Sequence, residues 1–230
     1  MARTCGLGPQ GREFKSRRSD FFMKKKIFYI FLSLIFLLAF VTFSYLVKTK
    51  ILDQIDFNTT VRLQNHVPKK VDSIFSSLSL IGSFEILAGI LFIIFIFRKK
   101  LVSLLIFIPF AVAHLVEVVG KSLMHHPGPP HLFFRYNIEF LFPSSYVQPG
   151  SSYPSGHSLR VVFVSVILSF LIAKIKKMKF SLKLVLILTL IIFNLLMLVS
   201  RVSLGEHWTT DVIGGALLGL SSGIFSLIFL

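Results

Sequence analysis

Long apolar runs alternate along the chain with short polar islands, and the length of the runs sets the first expectation. Stretches near residues 27–47, 74–97, 101–120, 157–173, 180–200 and 208–230 are each close to the roughly 20 residues that a helix needs to cross about 30 Å of hydrocarbon. The pattern predicts an all-α fold, a polytopic membrane protein built as a six-transmembrane-helix bundle. Residues 51–70 are polar and mixed, with Ile51, Ile55, Val61, Leu63 and Val67 spaced through them. That spacing fits either an amphipathic helix lying on the outer surface or a plain connecting loop. The connection 121–156 holds Pro127, Pro129, Pro130, Pro143, Pro149 and Pro154, which forbid a helix and indicate a rigid loop at the membrane surface.

Residues 1–22 are basic and have no apolar core, so they read as a basic tail or as sequence upstream of a start at Met23. From Met23 the run MKKKIFYIF opens a first membrane anchor helix, residues 23–50. It is too long for the apolar region of a signal peptide and has no clean small-residue cleavage site. Residues 51–230 form the remaining unit. With 54% hydrophobic and 15% charged residues, the chain has more apolar surface than one soluble core can bury. Its formal charge of +15 raises nucleic acid as a partner. The Lys and Arg residues, however, fall in short clusters (Lys24 to Lys26, Arg98 to Lys100, Lys174 to Lys183) between apolar runs, not on one long basic face. Membrane topology accounts for them: the positive-inside rule puts both termini in the cytoplasm of a multi-pass protein of the plasma membrane. The single cysteine, Cys5, excludes an internal disulfide framework and a cysteine metal cluster.

Three polar islands then fall on the outer face: Lys121 with the HHPGPPH that follows, Pro154-Ser155-Gly156-His157, and Ser200-Arg201 running through His207 to Asp211. His207 and Asp211, four apart at the start of the last helix, share one face, so the carboxylate can orient the imidazole and leave its other nitrogen as a nucleophile. Arg201 ends the fifth span, where a guanidinium fork can grip two phosphate oxygens. Ser155 is a plausible cap, Gly156 lets a ligand approach the backbone, and His157 is placed to act as a general acid. A zinc or manganese site built from His125, His126, His131, His157, Glu206, His207 and Asp211 is the rival reading. Against it, Lys121 and Arg201 would repel a cation, and the side chains of adjacent His125 and His126 diverge. Glu85, His114 and Glu117 lie within spans and should face the bundle interior, with Glu117 one turn before Lys121 and able to steer it.

These islands resemble the signature of the type-2 phosphatidic-acid phosphatase superfamily: Lys-x6-Arg-Pro, then Pro-Ser-Gly-His, then Ser-Arg-x5-His-x3-Asp. Pro154 to His157 fit the second part, and Ser200, Arg201, His207 and Asp211 fit the third with both spacings kept. The first part departs, because Lys121 and Pro129 match but Gly128 stands where the family has Arg. Arg135, first, then Arg160 or the imidazoles of His126 and His131, are the candidates to replace that charge. The resemblance implies an interfacial active site in which His207 attacks phosphorus, Asp211 orients it and His157 protonates the leaving group. Lys121, Ser155, Gly156, Arg201 and Arg135 would bind the phosphoryl oxygens. It implies no metal and no cofactor, a membrane lipid phosphate as substrate and the bilayer as partner. Undecaprenyl diphosphate, phosphatidylglycerophosphate and phosphatidic acid are the candidate substrates, the first preferred. A catalytically impaired lipid-binding or transport component is the alternative, and Gly128 is its support.

Overall fold

The computed structural model describes residues 9–98, 101–138, 142 and 150–230, with only the backbone described for residues 9–22. The described residues contain eight α-helices and no strand: α1 (Pro9–Lys48), α2 (Asp53–His66), α3 (Asp72–Ile81), α4 (Phe84–Arg98), α5 (Phe107–Leu123), α6 (Gly156–Lys174), α7 (Phe180–Ser203) and α8 (Thr209–Ser226). Part of the basic tail is therefore the start of α1, since that helix begins at Pro9 and not at Met23. Residues 1–8 lie outside the described residues.

Five segments are long and apolar enough to cross a membrane: Met23–Lys48, Leu101–Leu123, Gly156–Lys174, Phe180–Ser203 and Thr209–Phe229. The sixth is broken. Lys69–Ile81 and Phe84–Arg98 meet at a 49° bend, so the single span expected over 74–97 is two helices. Gly82 sits at the break, where the missing side chain makes a helix interior unfavourable and the α3 carbonyls of Leu78 and Ser79 take its N–H.

At the centre, α8 packs on α6 and α1. Gly215, Gly219 and Gly223 form a small-residue stripe at four-residue spacing, facing Ser155, Leu159 and Phe163 of the α6 strip so closely that added β-carbons would press on it. On its other side α8 is stitched to α1 by Ser33 and Ser221. Each hydroxyl donates to the other's carbonyl, at 2.9 and 3.0 Å. Leu91, Ile106, Phe163, Ile167 and Met197 fill one part of the core, and Phe40, Val47, Tyr153, Leu159 and Leu218 another. Leu182, Val185, Leu188, Ile192 and Leu195 of α7 are exposed, an apolar outer face suited to lipid tails.

At one end of the bundle Tyr29 packs edge-on against Phe170 near the end of α6, and Arg98 donates to the Leu230 carbonyl at 2.8 Å. The opposite end gathers the polar islands. Across it runs α2, which settles the choice between helix and loop for 51–70. Its buried residues are the polar Asp56 and Thr60 while Ile55 and Phe57 are exposed, so its polar side faces the bundle.

Candidate active site

The last turn of α5 brings in Lys121, whose Nζ donates to Glu117 Oε1 at 2.7 Å across one helical turn. Glu117 in turn lies against the start of α6. Gly156 makes that approach possible, because a β-carbon there would overlap the Glu117 carboxylate. Ser155 does not cap α6 through its side chain: its Oγ is buried without a hydrogen-bond partner, and its N–H donates to the Asp211 carbonyl at 2.9 Å. The residue therefore ties α6 to α8 and does not line the cavity described below.

At the end of α7, Arg201 is buried and pairs with Glu206, and it also donates to Ser79 Oγ on α3. The chain then reverses within a few residues. Gly205 adopts φ +70° there, and a β-carbon would collide with the Phe133 carbonyl, so both conformation and space demand glycine. The His207 and Glu206 N–H groups donate back to the Arg201 carbonyl, fixing the turn.

Asp211, in the first turn of α8 and wholly buried, is the hub of the site. Its Oδ2 accepts the Trp208 N–H at 2.8 Å and faces His207 Nδ1 at 3.4 Å, while its Oδ1 faces His126 Nδ1 at 3.0 Å. Two imidazoles thus share one carboxylate, and His126 holds it more closely than His207 does. Behind them, Asp56 of α2 accepts from the Thr210 N–H at 2.8 Å and from its hydroxyl at 2.6 Å, capping α8 from outside, with His126 Nε2 at 3.9 Å. The loop is pinned to this framework: Trp208 Nε1 donates to the Pro127 carbonyl at 2.8 Å, and Ser152 N–H to the His126 carbonyl at 2.9 Å.

Burial works to lower the charge of His126, but the hydrogen bond to Asp211 and the fields of Asp211, Asp56 and Asp53 outweigh it and raise its pKa. His207 goes the other way. Its burial, helped by Arg201, outweighs the pull of Asp211 and lowers its pKa, which favours the neutral ring. Burial also pushes the carboxyls of Asp56 and Glu206 up, in the second case against the neighbouring Arg201.

A cavity of about 670 Å³ opens among these groups, with Lys121, Gly156, His157, Arg160, Arg201 and His207 on its wall. Leu80, Phe84, Val118 and Phe134 form its apolar side. Of the residues singled out from sequence, the structure brings Lys121, Gly156, His157, Arg201 and His207 to this one space and sets Asp211 directly behind His207. Arg135 is not among them. Its guanidinium is spent on Asp72, at 2.9 Å to each carboxylate oxygen, and on the carbonyls of Gln64 and Val67. The first-ranked replacement for the missing charge thus serves to join the loop to α2 and α3, because Asp72 offers it a matched carboxylate fork.

Arg160 reaches the cavity instead, one turn into α6. Sequence reasoning left Asp56 unassigned and gave Glu206 only a metal-ligand role. Asp56 belongs to a segment with no motif of its own, and the one signal was an acidic side chain in a connection that otherwise alternates without pattern. His125 and His131 are exposed, and no three His, Cys, Asp or Glu side chains among the described residues are grouped to hold a metal ion.

The arrangement sets the cationic side chains of Lys121, Arg160 and Arg201 around a cavity that His207, with its lowered pKa, also lines. The family described as PAP2 superfamily matches residues 100–230. No curated protein matches the sequence. Two solved structures share the fold. The crystal structure of the first transmembrane PAP2 type phosphatidylglycerolphosphate phosphatase from Bacillus subtilis aligns with a TM-score of 0.69 at 22% identity, over 86% of this chain and 94% of that one. The crystal structure of Aquifex aeolicus LpxE aligns with a TM-score of 0.56 at 24% identity, over 75% of this chain and 94% of that one.

Proposed function

The chain belongs to the PAP2 superfamily, and from that membership we propose that it is an integral-membrane lipid phosphatase working through a phosphohistidine. The observation that carries the reading is the convergence of Lys121, His157, Arg201 and His207 on one cavity with Asp211 behind the last of them.

In the first step His207 Nε2 attacks phosphorus, a P–N bond forms and the P–O bond to the lipid breaks. Asp211, accepting the Nδ1–H, holds the required tautomer and stabilises the cation that forms. The 3.4 Å separation is long, as catalytic hydrogen bonds often are before substrate arrives. His157 gives its proton to the departing lipid oxygen. In the second step water passes a proton to His157 as its oxygen attacks phosphorus, the P–N bond breaks and phosphate leaves. Lys121 and Arg201 stabilise charge on the phosphoryl oxygens throughout, and the N-terminus of α6 adds its dipole.

The substrate is a phosphate monoester or diphosphate on a lipid, with undecaprenyl diphosphate, phosphatidylglycerophosphate and phosphatidic acid as candidates. The apolar wall formed by Leu80, Phe84 and Val118 supports a tail lying between helices while the head group enters the cavity. Residues 51–230 would carry this chemistry and α1 would add the anchor. Gly128 favours one second reading, a lipid-binding component without turnover. Phosphate release from these three lipids by detergent-purified protein, compared with His207→Ala and His157→Ala, separates the two. The proposal expects release by the wild type and losses of roughly 1000-fold or more in either variant. Release that persists in both variants rules the mechanism out.

A further inference from the structure

Among the described residues, three fixed cations line the cavity: Lys121, Arg160 and Arg201. Two are closely matched by acids. Lys121 lies 2.7 Å from Glu117 Oε1, and Arg201 pairs tightly with Glu206 while also donating to Ser79.

Arg160 is held differently. It is only 8% exposed, yet its hydrogen bonds and ion pair among the described residues are long: the Gly82 carbonyl at 3.3 Å from Nε, His114 Nε2 at 3.5 Å from Nη1, His157 Nδ1 at 3.5 Å from Nη2, and Glu117 Oε2 at 3.7 Å. Charge-assisted hydrogen bonds of a guanidinium run to about 2.7–2.9 Å. Arg135, at 2.9 Å to both oxygens of Asp72, shows what a satisfied arginine looks like in this protein. A buried guanidinium held this loosely, on a residue that lines a cavity, has donor capacity left for an anion.

Glu117 and Glu85 act on Arg160 through their fields, with Glu117 Oε2 at 3.7 Å. Location adds a second argument. Arg160 lies three residues after His157 on the same helical face, so its fork stands beside the imidazole that would protonate the leaving oxygen. Gly128 lines the same cavity, and a β-carbon there would meet only Ser152, at 3.5 Å.

We propose that Arg160 binds oxygens of the substrate's phosphoryl group, supplying from α6 the guanidinium that the family pattern puts at position 128. This deepens, and rests on, the phosphatase reading. The full-length protein in detergent tests it, with inorganic phosphate binding measured by calorimetry beside phosphate release from a lipid phosphate. Arg160→Gln should weaken phosphate binding and kcat/KM by about 30-fold or more, and Arg160→Lys should recover part of the loss. Adding Gly128→Arg to Arg160→Gln should restore at least about tenfold, whereas Gly128→Arg in the wild type should gain less than about threefold.

Phosphate affinity within about twofold of wild type in Arg160→Gln would overturn the proposal, as would a gain of about tenfold from Gly128→Arg alone. If Arg160→Gln does not fold, Arg160→Lys decides: reduced phosphate affinity at an unchanged unfolding temperature supports the role, and unchanged affinity refutes it. A wild type that binds phosphate but hydrolyses no lipid phosphate defeats the phosphatase reading alone, since the binding comparison still decides Arg160. A wild type that binds no phosphate defeats this proposal.

Discussion

Asp211 serves two imidazoles, and that sharing makes His126 the residue through which pH should act on stability. Its folded pKa is raised above the ordinary value of 6.5, because Asp211 and Asp56 outweigh the effect of burial. A group raised on folding stabilises the native state fully below its unfolded pKa, and that contribution is lost as pH rises through the folded value. Thermal unfolding in detergent should therefore show the wild type losing stability from about pH 6.5 upward relative to His126→Gln, with the difference levelling off below that point. A wild-type curve parallel to that of His126→Gln across this window would show that the ring gains nothing from its two carboxylates. His207 contributes with the opposite sign, since its pKa is lowered, so the comparison of the two proteins and not the raw wild-type slope is the measurement.

Elements were more legible than partners, and the reason lies in what each signal depends on. The apolar runs and the Pro-Ser-Gly-His and Ser-Arg-x5-His-x3-Asp spacings are local, so helices α5 to α8 and the placement of Lys121, His157, Arg201 and His207 at one end could be read directly. The inward polar side of α2 and the Asp56 cap on α8 depend on contacts between residues up to 154 positions apart, which no periodicity reports, and the bend at Gly82 interrupts a run that is continuously apolar in sequence. Arg135 misled for the same reason: its charge was visible, but Asp72 in a distant helix claims it.

The small-residue stripe of α8 yields a contrast. At Gly219 a β-carbon would press on the Leu159 backbone, whereas at Gly89 nothing lies within 4 Å. Gly219→Leu should lower the unfolding temperature and the yield of folded protein sharply, while Gly89→Ala should be neutral or stabilising by up to about 1 kcal/mol through helix propensity. Equal behaviour of the two in a detergent unfolding assay would mean that α6 and α8 do not pack as described.

Across the whole molecule, the polar islands occupy one end of the bundle, while Tyr29 with Phe170 and Arg98 with Leu230 mark the other. From the positive-inside rule we propose an orientation with the site facing out of the membrane. In a Cys5→Ser background, a membrane-impermeant thiol reagent applied to intact cells should label Leu132→Cys, an exposed position beside the site, but not Lys177→Cys at the far end. The reverse pattern would put the chemistry in the cytosol and remove the case for an outward-facing lipid head group.

The chemistry itself is tested most directly by rapid quenching of the protein during turnover of a lipid phosphate, followed by mass spectrometry at neutral to alkaline pH. The account predicts an acid-labile phosphoryl group on His207 of the wild type that is absent from His207→Ala. A phosphoryl group on any other side chain, or steady phosphate release from the His207→Ala protein, would contradict it.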